Sequence, residues 1–141
     1  MAAATITWVE GMQFVARGDT GHAVLLDAAE EVGGSNSAAR PMELLLMGLM
    51  GCTAMDVVSV LKKKRQPLTQ FKIFASAERA SEHPQYYTKI HLEYVAYGEV
   101  NPAALERAVQ LSQEKYCGAI ATVRGKTEVT SSFRVEPATQ E

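Results

Sequence analysis

The sequence has no excess of charge of either sign: 14 Lys and Arg stand against 16 Asp and Glu, a formal net charge of −2. It therefore lacks the clustered basic field on which nucleic-acid binding depends, and no nucleic-acid partner is expected. Cysteine is scarce, with two in 141 residues, which excludes a disulfide-stapled mini-domain. No Cys-x-x-Cys pair and no His/Cys cluster at zinc-ligand spacing occurs, so no metal site is expected. A Gly-rich phosphate loop is absent, as is a Gly-x-Ser-x-Gly nucleophile elbow. His22, His83 and His91 are scattered and read as surface or strand residues. The opening Met-Ala-Ala-Ala-Thr lacks the basic and apolar regions of a secretory signal. A reducing, cytoplasmic setting is expected, where two thiols mean chemistry or burial rather than a permanent staple.

What is present is an ordinary globular composition, 47% hydrophobic and 21% charged, on a length that suits one domain over residues 1–141. Residues 1–40 read as strands and a loop. Thr5, Thr7 and Val9 alternate with Ile6 and Trp8, Phe14 to Arg17 gives a second strand, and His22 to Asp27 a third. The segment 33–40 is small, polar and turn-rich. In the region 67–141, Phe71, Ile73, Ala75 and Ala77 mark a strand with one wet face. Ile90, Leu92, Tyr94 and Ala96 mark its antiparallel partner. Asn101-Pro102 starts a helix, with Leu105, Ala108, Val109, Ser112 and Tyr116 on one face. Cys117-Gly118 breaks it, and residues 128–136 close the chain as a strand. Helices and strands do not alternate one by one, which predicts an α+β fold with a largely antiparallel sheet.

A long helix is expected over residues 41–66. Pro41 suits a first helical turn, Lys62 to Arg65 sit at the negative end of the dipole, and Pro67 stops the helix. Leu44 to Leu61 forms an 18-residue apolar stretch, long enough to be weighed as a membrane span. Asp56 inside it, diluted by Gly48, Gly51, Cys52, Thr53 and Ser59, favours a buried core helix instead.

Cys52 lies mid-way along this helix and Cys117 at the end of the next, 65 positions apart, and spacing alone does not bring them together. At about 100° per residue, Leu45, Gly48, Leu49, Met55, Asp56 and Ser59 share the face of Cys52. Gly48 and Gly51 thin the wall around the thiol, open either to a substrate or to a packed helix. An unpaired Asp56 disfavours a neighbouring thiolate; paired with Arg or Lys it is a satisfied core acid. Glu43, nine positions earlier, points about 180° away and reads as a first-turn acid favoured by the dipole.

The run Pro-x-Glu-Leu-Leu-Leu…Gly-Cys-Thr-x-x-Asp-Val over Pro41 to Val57, followed by Leu61-Lys-Lys-Lys-Arg65, resembles the OsmC/Ohr family of osmotically inducible and organic hydroperoxide resistance proteins. Cys117, placed between an amphipathic helix and a final strand, fits the same pattern. The basic cluster Lys62–Arg65 is most similar to the YhfA-like branch. The resemblance implies largely antiparallel sheets around a long buried central helix, in an intertwined homodimer whose two central helices bury one another. It also implies a cysteine peroxidase acting on organic hydroperoxides, with Cys52 as peroxidatic and Cys117 as resolving thiol, reset by an external dithiol and needing no cofactor or membrane.

Two features depart from the peroxidase branches. Their Glu directly follows the helix-opening Pro, whereas Met42 stands there and Glu43 comes one residue later. Their Arg in a turn after the first strand is replaced by Gly11, Met12 or Gln13, leaving Arg17 and Arg40 as the nearest basic candidates. An unassisted thiol is only a few per cent thiolate at neutral pH. A redox-responsive or small apolar ligand-binding role on the same fold is therefore the alternative, and inert core packing of both cysteines a third.

Overall fold

The computed structural model describes residues 2–138. It contains two compact units, residues 1–47 and 48–141, with the boundary inside the long helix. In the first unit, β1 (Ala4–Glu10), β2 (Gln13–Gly18) and β3 (Ala23–Leu26) form an antiparallel meander in the order β1-β2-β3. Gly11, at φ +54°, closes the first turn, and its carbonyl accepts a 2.8 Å bond from the Trp8 indole. Ile6, Trp8 and Leu25 are each more than half exposed in the single chain.

The polar loop after β3 is organised by one side chain. Asp27 is buried and accepts from Ala28 N, Ser35 N, Ser37 N and, at 2.6 Å, from Ser37 Oγ. The Ser37 hydroxyl, then its amide, outweighs desolvation and holds the Asp27 carboxyl down at about 2, against an ordinary 3.8. A depressed folded-state pKa gives stabilisation that is complete above the unfolded value and lost as pH falls toward 2. Asp27→Asn is accordingly expected to destabilise the first unit at neutral pH, with its deficit against the wild type shrinking between about pH 4 and pH 2. Acid titrations of both proteins followed by Trp8 fluorescence check this, and a deficit that does not change with pH counts against it.

The long helix α1 spans Pro41–Lys63, three residues short of the expected end. Its start carries the return half of a capping box: Glu43 Oε1 accepts from Arg40 N at 2.9 Å, the N3 acid reaching back to the cap residue. In the second unit, β4 (Leu68–Arg79), β5 (Tyr87–Gly98) and β6 (Glu128–Glu136) form a sheet in the order β4-β5-β6. The β4–β5 pair is antiparallel as expected, but β6 runs parallel to β5. Parallel neighbours need a long crossover. The chain supplies it with α2 (Pro102–Leu111), a π turn at Ser112–Tyr116 and α3 (Gly118–Val123). Asn101 Oδ1 caps α2 through Ala103 N at 2.9 Å. His91, on β5, bridges to β6 through Thr130 and Ser132, the structural use expected of it.

The central strand β5 carries the core of this unit. Ile90, Leu92, Tyr94, Val95 and Ala96 are buried, together with Leu105, Ala108 and Ile120 from the crossover. The helix α1 contributes Leu49, Thr53, Val57 and Leu61, one residue per turn along a single stripe. Burial on all sides, the expectation from composition, is not met within one chain. Only 22% of its most apolar 18-residue window is buried, and Met55 is 76% exposed. A cylinder resting on one layer covers one stripe only.

Tyr116 also departs from expectation, lying half exposed rather than on the buried face with Ser112. The cause is the π turn. Its i→i+5 bond, Cys117 N to Ser112 O at 2.8 Å, inserts an extra residue and rotates everything after Ser112 off the helical register.

Candidate functional site

The second unit brings Cys52 and Cys117 together. Their sulfurs and a carboxylate oxygen of Asp56 all lie within 4.8 Å of one another, and both cysteines are free thiols. Cys52 and Asp56 come from successive turns of α1. Cys117 is delivered by the π turn, which ends on it, and its sulfur accepts from Ile120 N at 3.4 Å as the cap of α3. Cys52 is half-buried and Cys117 buried. Burial pushes the Cys117 thiol up to about 11, with the adjacent Cys52 acting in the same direction.

Beside the thiols runs a chain of hydrogen bonds that residue-by-residue reading missed. Thr53 Oγ1 lies 2.7 Å from both Tyr94 Oη and Ser112 Oγ. Ser112 Oγ donates to Asp56 Oδ2 at 2.9 Å, and Gln113 Nε2 donates to Tyr94 Oη at 3.3 Å. Each hydroxyl has one proton, so the direction is fixed once Asp56 is a carboxylate. Ser112 spends its proton on Asp56 and must accept from Thr53; Thr53 must then accept from Tyr94. The chain reads Gln113, Tyr94, Thr53, Ser112, Asp56. Burial raises the Tyr94 phenol above its usual range and keeps it a donor. A signal was available for two members: Thr53 interrupts the apolar stripe of α1, and Ser112 is a polar residue at an apolar position of the α2 period. Tyr94 gave none, because a tyrosine on a buried strand is ordinary.

Asp56 is thus satisfied by a hydroxyl rather than by the Arg or Lys that sequence reading offers as its partner. Its open side faces a cavity of about 540 Å³ lined by Ser59, Val60, Lys63, Lys64, Leu111 and Tyr116. Among the described residues of the second unit, a side-chain carbon at Gly48 or Gly51 would meet no atom within 4 Å. The small residues next to Cys52 therefore border open space in that unit, not one of its packed helices. The other candidates, Glu43, Arg40 and Arg17, belong to the first unit. Glu43 is engaged in the α1 cap, Arg40 donates to Ala38 O at 3.2 Å, and Arg17 donates to Gly21 O.

A family model described as OsmC-like protein matches residues 34–132. Protein YhfA of Escherichia coli strain K12 is 37% identical over 136 residues, 96% of this chain and 98% of its own length. The crystal structure of a hypothetical protein from Aquifex aeolicus VF5 is similar at a TM-score of 0.87 and 34% identity, covering 99% of this chain and 98% of that one. An organic hydroperoxide resistance protein OsmC from Legionella pneumophila has the same fold at a TM-score of 0.69 and 19% identity, covering 96% and 97% of the two chains.

Proposed function

The chain belongs to the OsmC-like family, and from that premise we propose that it is a thiol-dependent peroxidase that reduces organic hydroperoxides through a Cys52–Cys117 disulfide. The observation that carries this reading is the convergence of two free thiols, 65 positions apart in sequence, to within 4.8 Å. Inert cysteines have no need to meet; a peroxidatic and a resolving thiol must.

The chemistry proceeds in three balanced steps. The Cys52 thiolate attacks the distal peroxide oxygen, the O–O bond breaks, and Cys52 becomes a sulfenic acid while the alkoxide takes a proton and leaves as an alcohol. Cys117 then attacks the sulfenic sulfur, expelling water and forming the disulfide, whose S–S bond of about 2 Å requires the sulfurs to close up. An external dithiol restores both thiols by exchange and leaves oxidised. In this reading Asp56 receives the proton that Cys117 gives up, supported by its position within 4.8 Å of the sulfur and by the Ser112–Thr53–Tyr94 chain that orients its carboxylate. The apolar residues of the neighbouring cavity suit an organic hydroperoxide better than hydrogen peroxide. In this reading the protein acts in the cytoplasm as a homodimer, and a second copy covers the open faces of α1.

One equivalent of an alkyl hydroperoxide added to the reduced protein is expected to give, by peptide mass spectrometry, a single Cys52–Cys117 cross-link with loss of two hydrogens. In Cys117→Ser the product is expected to stop at one added oxygen on Cys52, and trapping with a sulfenic-acid reagent checks it. An untouched thiol pair would sink the proposal.

A second reading rests on the charge at the site, where a carboxylate stands beside the thiols. A redox-responsive or small-ligand protein would then form the same disulfide by exchange with a disulfide donor while ignoring peroxide. The same mass measurement with oxidised glutathione in place of peroxide separates the two.

A further inference from the structure

We propose that the reduced form of this site binds one thiophilic d¹⁰ divalent cation, zinc being the cellular example, through Cys52 Sγ, Cys117 Sγ and Asp56. The sequence hides such a site, because its ligands sit at positions 52, 56 and 117 and match no zinc-binding spacing. The fold assembles it. Two sulfurs and one carboxylate oxygen already lie within 4.8 Å of one another. Tetrahedral zinc, with bonds of about 2.3 Å to sulfur and 2.0–2.2 Å to oxygen, asks for ligand separations of about 3.5–3.8 Å. Small side-chain movements close that gap.

Two further features suit a cation. Ser112 Oγ donates to Asp56 Oδ2 at 2.9 Å and is itself held by Thr53, the outer-shell hydrogen bonding that orients a ligating carboxylate. A bond from the other carboxylate oxygen to the metal leaves that contact in place. Access comes through the cavity that Asp56 shares with Lys63 and Lys64. Two thiolates and a carboxylate carry three negative charges and the cation two positive ones, so the loaded site keeps a single negative charge, which the two lysines offset. Binding releases the two thiol protons to solvent and leaves the fourth coordination position to water.

The consequence is mutual exclusion. Disulfide formation consumes both sulfur ligands and expels the metal, and the bound metal shields both thiols from oxidation. This inference goes beyond the peroxidase reading and does not depend on it.

Metal-free, fully reduced protein is titrated with Cd²⁺, whose ultraviolet sulfur-to-metal charge-transfer band reports thiolate ligation; Zn²⁺ is then measured by competition with a chromophoric chelator. The expected result is saturation at one Cd²⁺ per chain, displacement by zinc, and loss of the band in Cys52→Ser, in Cys117→Ser and in wild-type protein oxidised to the disulfide. The isosteric Asp56→Asn is expected to lower zinc affinity by about 100-fold or more, beyond the roughly 10–100-fold that loss of an outer-shell partner costs. No band in reduced wild type, a band that survives Cys117→Ser, or wild-type affinity in Asp56→Asn overturns the inference. The oxidised wild-type arm keeps the test decisive if a cysteine variant fails to fold. Peroxide reactivity is followed separately on metal-free protein, so the failure of either reading is distinguishable from the failure of the other.

Discussion

Replacing Cys52 by Ser is expected to slow thiol oxidation by an alkyl hydroperoxide roughly a thousandfold or more, as removal of a nucleophile does elsewhere. The substitution keeps shape and half-burial and removes only the sulfur, so a large loss with retained fold isolates the chemistry. The remaining thiol is a poor substitute. Cys117 is buried, and that burial pushes its thiol up and disfavours the thiolate. Its sulfur is also engaged by the Ile120 amide. Single-turnover thiol loss, followed in wild type, Cys52→Ser and Cys117→Ser, checks this. The expected order is a fast wild type, a Cys117→Ser protein that oxidises Cys52 at a similar rate without cross-linking, and a Cys52→Ser protein near the uncatalysed background. Equal rates in wild type and Cys52→Ser would remove Cys52 from the mechanism.

The second large effect concerns stability. Thr53→Val keeps side-chain volume and apolar packing but deletes the hydroxyl at the centre of the buried chain. Tyr94 Oη then loses its acceptor and Ser112 Oγ its donor, both at 2.7 Å and both in fully buried side chains. Ser112 still donates to Asp56 and Tyr94 Oη still accepts from Gln113, so the buried Tyr94 O–H is the donor left unpaired, and a loss of about 1–3 kcal/mol is expected against a total stability of about 5–15 kcal/mol. Thermal unfolding is expected several degrees lower. Thr53→Ser, which restores the hydroxyl and loses a methyl group, is expected to recover most of the difference. A Thr53→Val protein as stable as wild type would show that the hydroxyl chain contributes nothing to the fold.

The consequence for the site is separate from the consequence for stability. Without the Thr53 hydroxyl, Ser112 keeps its bond to Asp56 but loses the partner that holds it from the other side, and the carboxylate is less firmly oriented. A protein destabilised by Thr53→Val but unchanged in disulfide formation would place the chain in the core alone.

The sequence by itself determined what depends on near neighbours along the chain. Pro41 and the first-turn acid Glu43 mark the start of α1, and Asn101-Pro102 marks α2, because a helix end is satisfied by residues two or three positions away. The strands β4 and β5 follow from alternation, a period set by the pleat. The run from Pro41 to Val57 also carries the family, and with it the overall fold. Only the tertiary structure decided the rest. It runs β6 parallel to β5, turns Tyr116 outward through a π turn, and joins Thr53, Tyr94 and Ser112 across separations of 41 and 59 positions. It also brings Asp56 within 4.8 Å of two sulfurs that the sequence leaves 65 residues apart. Those arrangements answer a different requirement from the local ones. Polar atoms enclosed in a core must find partners wherever the chain crossing brings them, and no short-range pattern of residues records which crossing that is.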